Sequence, residues 1–108
     1  MTAGNPLFVA LLRNARLPLP EVEYRFHHTR KFRFDYAWPA NGHLALEIDG
    51  GIWVRGRHSG GAGQIRDMEK GNLAALMGWS VLHVTPQQLC TLSTIDLLKQ
   101  CFTARLVA

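Results

Sequence analysis

The sequence predicts an α/β sandwich with a mixed central sheet, and three observations carry that reading. Apolar residues alternate through 21–38 and again through 44–48, a helical pattern covers 64–77, and a β-rich run from Trp79 to Thr85 follows it. A helix joining two strands favours a parallel pairing between them. The break Pro39-Ala40-Asn41-Gly42 between the earlier runs favours an antiparallel hairpin instead. One sheet holding both connections is mixed.

Taken in order, Pro6 to about Arg16 reads as a short helix. Leu7, Leu11 and Ala15 form its apolar stripe, Pro6 sits in its first turn, and Pro18 and Pro20 end it. From Glu21 to Trp38 the pattern is strand-like, with Tyr24 and Phe26, then Phe32, Phe34 and Tyr36, on alternate positions. His27-His28-Thr29 interrupts the ribbon. Leu44, Leu46 and Ile48 alternate next, and a Gly-rich, Arg-containing loop spans 52–63. Gln64 to Met77 is the second helix, with Gly78 at the left-handed cap position. The strand 79–85 leads to Pro86, which opens a helical C-terminal region where Thr91 or Ser93 caps a helix reaching Arg105. Trp38, Trp79, Leu73, Leu76, Met77, Val81, Leu82 and Val84 are the expected core.

The length, 108 residues, suits one domain able to bury a core without disulfides. Cys90 and Cys101 lack CxxC spacing and read as thiols of a reducing compartment. No run approaches the roughly 18 apolar residues of a membrane span. The N-terminus lacks the basic-first order of a signal peptide. The expectation is a cytoplasmic protein with no membrane partner. Its net charge of +4 and pI near 9.6 lean toward an anionic partner.

Three acids interrupt the strand-like runs. Side chains alternate across a strand, so Glu47 and Asp49 share one face while Leu44, Leu46 and Ile48 share the other. Asp35 shares its face with Arg33, opposite Phe32, Phe34 and Tyr36. A two-residue Asn41-Gly42 turn would separate the acids. A three-residue loop, 40–42, pairs Asp35 directly with Glu47, gathers the apolar rows on the other face and places Gly42 where positive φ is needed. Two facing carboxylates repel, and a divalent cation relieves them. Oxygen-only ligands suit Mg2+ or Mn2+ and not zinc. The competing reading pairs these acids with Arg33, Lys31 or Lys70 on a solvated face.

Asp35 followed by Glu47-Ile48-Asp49 after a hairpin turn resembles the PD-(D/E)XK nuclease superfamily. The nearer resemblance is to the branch holding the very-short-patch repair endonucleases and related phage and bacterial endonuclease-like domains. RFDYAWP, LEIDGG, GRHSGG, a helix bearing DMEKGN, and then MGWSVLHVTP carry it, over about residues 21–87. The resemblance implies a restriction-endonuclease-like three-layer sandwich and metal-dependent cleavage of DNA phosphodiesters. Asp35, Glu47 and the Ile48 carbonyl would hold the metal. His58, after the acidic strand, would handle protons. The superfamily's usual lysine, two residues after the second acid, is Asp49 here. Lys70, on the following helix, would return a cation to the site, unless it pairs with Asp67 three residues before it. Glu21 or Glu23 would add an outer carboxylate or simply be a surface charge. Asp67 and Glu69 read as helix-surface residues, and His27, His28, His43 and His83 read without function.

The cations cluster. Arg25, Arg30, Lys31 and Arg33 flank one acidic strand, and Arg55, Arg57 and Arg66 follow the other. Lys31, Arg33, Arg55, Arg57 and Arg66 are the expected phosphate contacts, giving salt-dependent affinity without base reading. The glycines of 50–63 admit close backbone approach to a phosphate, although no phosphate-loop signature is present. Trp53 reads as the anchor of that loop. The minimal length leaves recognition to DNA structure, dimerisation or a partner. The rival reading is a non-catalytic nucleic-acid-binding module on the same fold.

Overall fold

Asn5 starts the first helix, α1 (Pro6–Asn14). Its side-chain oxygen accepts the Leu7 N–H at 3.0 Å and the Phe8 N–H at 3.2 Å, while Pro6 has no N–H to leave unsatisfied. The structure is a computed structural model and describes residues 4–50 and 62–107. Phe8 and Leu12 are the buried residues of α1, with Leu11 and Ala15 beside them, and Leu7 is 57% exposed. The inward stripe thus begins one residue later than expected, because the Phe8 ring packs on Tyr36 at 4.8 Å. The helix ends before the prolines. Arg16 takes φ 59°, and the Leu17 N–H turns back to the Leu12 carbonyl at 3.0 Å.

Four strands follow among the described residues: β1 (Glu21–Arg25), β2 (Arg33–Trp38), β3 (Leu44–Ile48) and β4 (Ser80–Val84). They form one sheet in the order β1-β2-β3-β4, antiparallel at the first two junctions and parallel between β3 and β4. Helix α2 (Ala62–Leu76) lies between the parallel strands in sequence, as expected for a crossover. Gly78 ends it at φ 83°. Thr85 caps the short helix α3 (Pro86–Leu89) by a reciprocal pair of bonds with Gln88, and Thr91 Oγ1 accepts the Thr94 N–H at the start of α4 (Leu92–Val107).

The two faces of the sheet have separate cores. Phe8 and Leu12 of α1, Leu89 of α3 and Ile95, Leu98 and Phe102 of α4 pack with Tyr36, Trp38, Leu44 and Leu46. On the other face Ala74 of α2 joins Phe26, Phe32, Phe34, Ala37, Ala45 and Trp79. Helices on both sides of a mixed sheet make this an α/β architecture. Leu76 and Met77, expected in the core, are 81% and 39% exposed. Helix α2 meets the second core through Leu73 and Ala74, which leaves the end of the helix in solvent. No helix among the described residues is long and apolar enough to cross a membrane.

The β2–β3 turn has the expected register by a longer route. Pro39–Asn41 forms a single 3-10 turn, and Gly42 and His43 follow at φ 87° and 56°. Trp38 pairs with Leu44, Ala37 with Ala45 and Tyr36 with Leu46, so the next rung sets Asp35 abreast of Glu47. Gly42 has the positive φ assigned to it, within a five-residue connection and not a three-residue one.

The apolar row of β2 does not stay on one face. Val22 and Tyr36 belong to the first core, whereas Tyr24 and Phe34, two residues away on each strand, belong to the second. An uninterrupted strand keeps i and i+2 together. Both strands change face between the Val22–Tyr36 and Tyr24–Phe34 pairs, where Glu23 and Asp35 lie. Glu23 has φ 53°, a conformation costing roughly 1–2 kcal/mol for a residue with a Cβ. The expectation that Phe32, Phe34 and Tyr36 share a face is therefore corrected. The local twist sends two phenylalanines toward α2.

Candidate functional site

The site lies where the β2–β3 ladder stops. Beyond Tyr36 and Leu46, carboxylates take over as acceptors for backbone N–H groups of the opposite strand. The Asp35 N–H donates to Glu47 Oε2 at 3.1 Å, and the Ile48 N–H donates to Asp35 Oδ2 at 2.7 Å. The two acids thus hold each other's strand at the fork. Such bonds fix the orientation of a carboxylate.

Helix α2 brings a cation to this pair. Lys70 Nζ bonds Glu47 Oε1, with the two side chains 25% and 12% exposed. The same ammonium lies 5.6 Å from the centre of the Phe34 ring, which stacks on Phe26 at 4.2 Å and touches Trp79 at 5.0 Å. The change of face at Asp35 is what puts Phe34 under Lys70.

Burial pushes the Glu47 carboxyl above its ordinary value of 4.5, and the charge of Asp35 pushes the same way, against the Lys70 ammonium and the Asp35 N–H. A carboxylate under this pressure favours a bound cation. Asp35, Glu47 and the Ile48 carbonyl offer oxygen donors alone, a set that fits Mg2+ or Mn2+. Among the described residues no three His, Cys, Asp or Glu side chains gather in a metal-binding group. Glu23 is abreast of Asp35 along the backbone and is exposed, and Glu21 is exposed as well.

The linkage has a definite sign. Because the folded state holds the Glu47 proton more tightly than the unfolded chain does, its contribution to stability is full below 4.5 and declines as pH rises through the higher folded value. Urea melts of wild type and Glu47→Gln across pH 4 to 8 should therefore show wild type losing stability relative to the variant as pH rises. Parallel curves would refute this reading of Glu47.

A cleft of about 260 Å³ opens beside the pair, lined by Phe34, Glu47, Ile48, Asp49, Asp67, Lys70, Gly71, Val81 and His83. It lies by the C-terminal ends of the two parallel strands, the usual place for a ligand in such a sheet. Asp49 follows β3 with its N–H on the Val84 carbonyl at 2.8 Å, and its Oδ2 meets His83 Nδ1 at 2.8 Å. Glu47 and His83 are register partners across β3 and β4.

Of the sequence-predicted residues, Asp35, Glu47, Ile48, Asp49 and Lys70 come together. His58, Arg55 and Arg57 lie outside the described residues, as does Trp53. Lys31, Arg33 and Arg66 are exposed, and the Arg66 guanidinium lies over the Phe32 ring at 5.2 Å. Arg33 pairs with Arg25 in the β1–β2 register, which sets two cations side by side. Arg30 is engaged elsewhere: it binds both oxygens of Glu69, at 2.6 and 2.9 Å, and ties the 26–32 turn to α2. Within that turn His27 Nδ1 accepts the backbone N–H groups of Thr29 and Arg30, a structural task.

Sequence reasoning did not place His83 beside the acids; Asp67, read as a helix-surface residue, is exposed on α2 and borders the same cleft. His83 alternates with Val81 and Val84 follows it, so the strand pattern alone reads as a packed or edge residue, and it lies exposed on β4, the end strand of the described sheet. Its signal is the parallel register, which sets it beside Glu47 and needs the tertiary pairing to be known. Comparison of the chain with protein-family models, curated proteins and solved structures gave no match.

Proposed function

We propose that this chain is a metal-dependent endonuclease that hydrolyses DNA phosphodiester bonds, in the manner of the PD-(D/E)XK nucleases it resembles. The single observation that carries the reading is the meeting of Asp35 and Glu47 at the strand fork with Lys70 delivered onto Glu47 from α2. An acid pair plus one ammonium is the combination such a site needs, and here the cation comes from a helix and not from the position of Asp49. Asp35, Glu47 and the Ile48 carbonyl would hold Mg2+ or Mn2+, which supplies positive charge to the scissile phosphate and the attacking water. Lys70 adds charge toward the same phosphate as negative charge builds on its oxygens. Arg33 and Lys31, with Arg25 beside them, bind flanking phosphates.

A second reading has its own support. Both Glu47 oxygens are already engaged, one by Lys70 and one by the Asp35 N–H, as in a site that has exchanged metal for an internal ion pair. That arrangement suits a non-catalytic nucleic-acid-binding module. Supercoiled-plasmid cleavage with Mg2+ or Mn2+ decides between them. Wild type is expected to nick or linearise DNA, and Asp35→Ala and Glu47→Ala to lose at least about 1,000-fold in rate, the scale of a lost charge-stabilising group. Binding without cutting under either metal would favour the module. Equal cutting by wild type and both variants would remove these two acids from the site.

A further inference from the structure

We propose that Asp49 and His83 form the proton-transfer dyad of this site, with His83 taking the proton of the attacking water and Asp49 holding its ring. The inference rests on the nuclease reading and adds to it a residue that the sequence pattern left as a packed or edge position. Asp49 Oδ2 and His83 Nδ1 are 2.8 Å apart, so one ring nitrogen is committed to the carboxylate. A neutral imidazole that donates Nδ1–H to an acceptor-only carboxylate has its lone pair on Nε2. That nitrogen belongs to a side chain 60% exposed, on a residue that lines the same cleft as Glu47 and Lys70. The carboxylate is anchored in turn, because the Asp49 backbone is bonded to Val84 of the same strand that carries His83. This is the arrangement of a base oriented by a third group.

The position is as telling as the pair. His83 and Glu47 face each other across adjacent parallel strands about 4.8 Å apart. A phosphate lying over Glu47 and Lys70 is therefore within one strand spacing of the imidazole. Among the described residues, the charged groups lining the cleft with His83 are Glu47 and Asp49 from the β3 side and Asp67 and Lys70 from α2. This also gives Asp49 a task. An acid stands at the family's lysine position because the cation has moved to α2, and the acid serves the histidine of the next strand.

The step balances as follows. Water transfers one proton to His83 Nε2 as its oxygen lone pair forms the new bond to phosphorus. The bond to the leaving ester oxygen breaks with its electron pair, and that oxygen takes a proton from solvent. The imidazolium, steadied by Asp49, then returns its proton to solvent. On this assignment the proton of the attacking water goes to His83 and not to His58, which makes His83 the catalytic residue and Asp49 the positioning residue.

The experiment is single-turnover cleavage of plasmid DNA with Mn2+ by wild type, His83→Ala, His83→Gln and Asp49→Asn, with thermal melts to verify folding. Both His83 variants should bind DNA as wild type does and cut at least about 100-fold more slowly. Imidazole added to His83→Ala should restore part of the rate, which a merely structural loss would not allow. Asp49→Asn should be slowed less. In nitrogen NMR His83 should be the Nδ1–H tautomer in wild type and should lose that preference in Asp49→Asn. If wild type cuts while His83→Ala cuts within about twofold of it, without imidazole dependence, the dyad falls and the nuclease reading stands. If wild type cuts neither DNA nor bis(p-nitrophenyl) phosphate, both fall together.

Discussion

On the nuclease reading proposed above, replacing Lys70 by Met is expected to slow DNA cleavage at least about 100-fold, the usual effect of removing one charge-stabilising donor from an active site. The same change should destabilise the fold. Glu47, 12% exposed, would lose the cation that opposes its burial, and the loss should be about 1–2 kcal/mol at neutral pH. The larger cost of breaking a fully buried pair does not apply, since a quarter of the Lys70 side chain is exposed. Glu47→Gln in the Lys70→Met background should recover most of that stability while leaving activity lost. The two readouts therefore separate. A double-mutant cycle by urea denaturation, beside plasmid cleavage, measures both. Full activity in Lys70→Met would remove the helix cation from the mechanism.

The largest loss of stability is expected at Trp38. It is 1% exposed, its ring meets Phe102 edge-on at 5.5 Å, and its indole N–H bonds the Pro18 carbonyl at 2.8 Å. Trp38→Ala should cost about 3–5 kcal/mol, the range for emptying a buried aromatic site. The bond to Pro18 also ties the segment after α1 to the end of β2, immediately before the turn that sets the Asp35–Glu47 rung. Trp38→Phe keeps a ring and loses that donor, leaving the Pro18 carbonyl to find water. It should cost less than Trp38→Ala. If denaturation finds Trp38→Ala within about 1 kcal/mol of wild type, the first core is not organised around this residue.

Much of the fold was legible along the chain. The elements read from proline, glycine and alternation all have counterparts, and the parallel pairing of β3 with β4 follows from the helix between them. Gly42 and Gly78 have the positive φ values that their turn and cap positions required. The acid pair was legible too, because one register both gathers the carboxylates and buries the apolar residues. Periodicity failed where the backbone leaves its regular geometry. Nothing local to Glu23 announces a left-handed residue in mid-strand, and the move of Phe32 and Phe34 to the α2 face depends on it. In α2, helical spacing did not reveal that Leu76 and Met77 run past the sheet into solvent.

By itself, then, the sequence determined the α/β order of elements and the Asp35–Glu47 rung, because strand alternation and turn geometry act over neighbouring residues. Only the tertiary structure decided which cation answers Glu47 and what Asp49 holds. Lys70 lies 23 residues from Glu47, and His83 lies 34 residues from Asp49. Contacts at that separation depend on how the crossover helix settles on a forked sheet, and no local pattern in the chain encodes that.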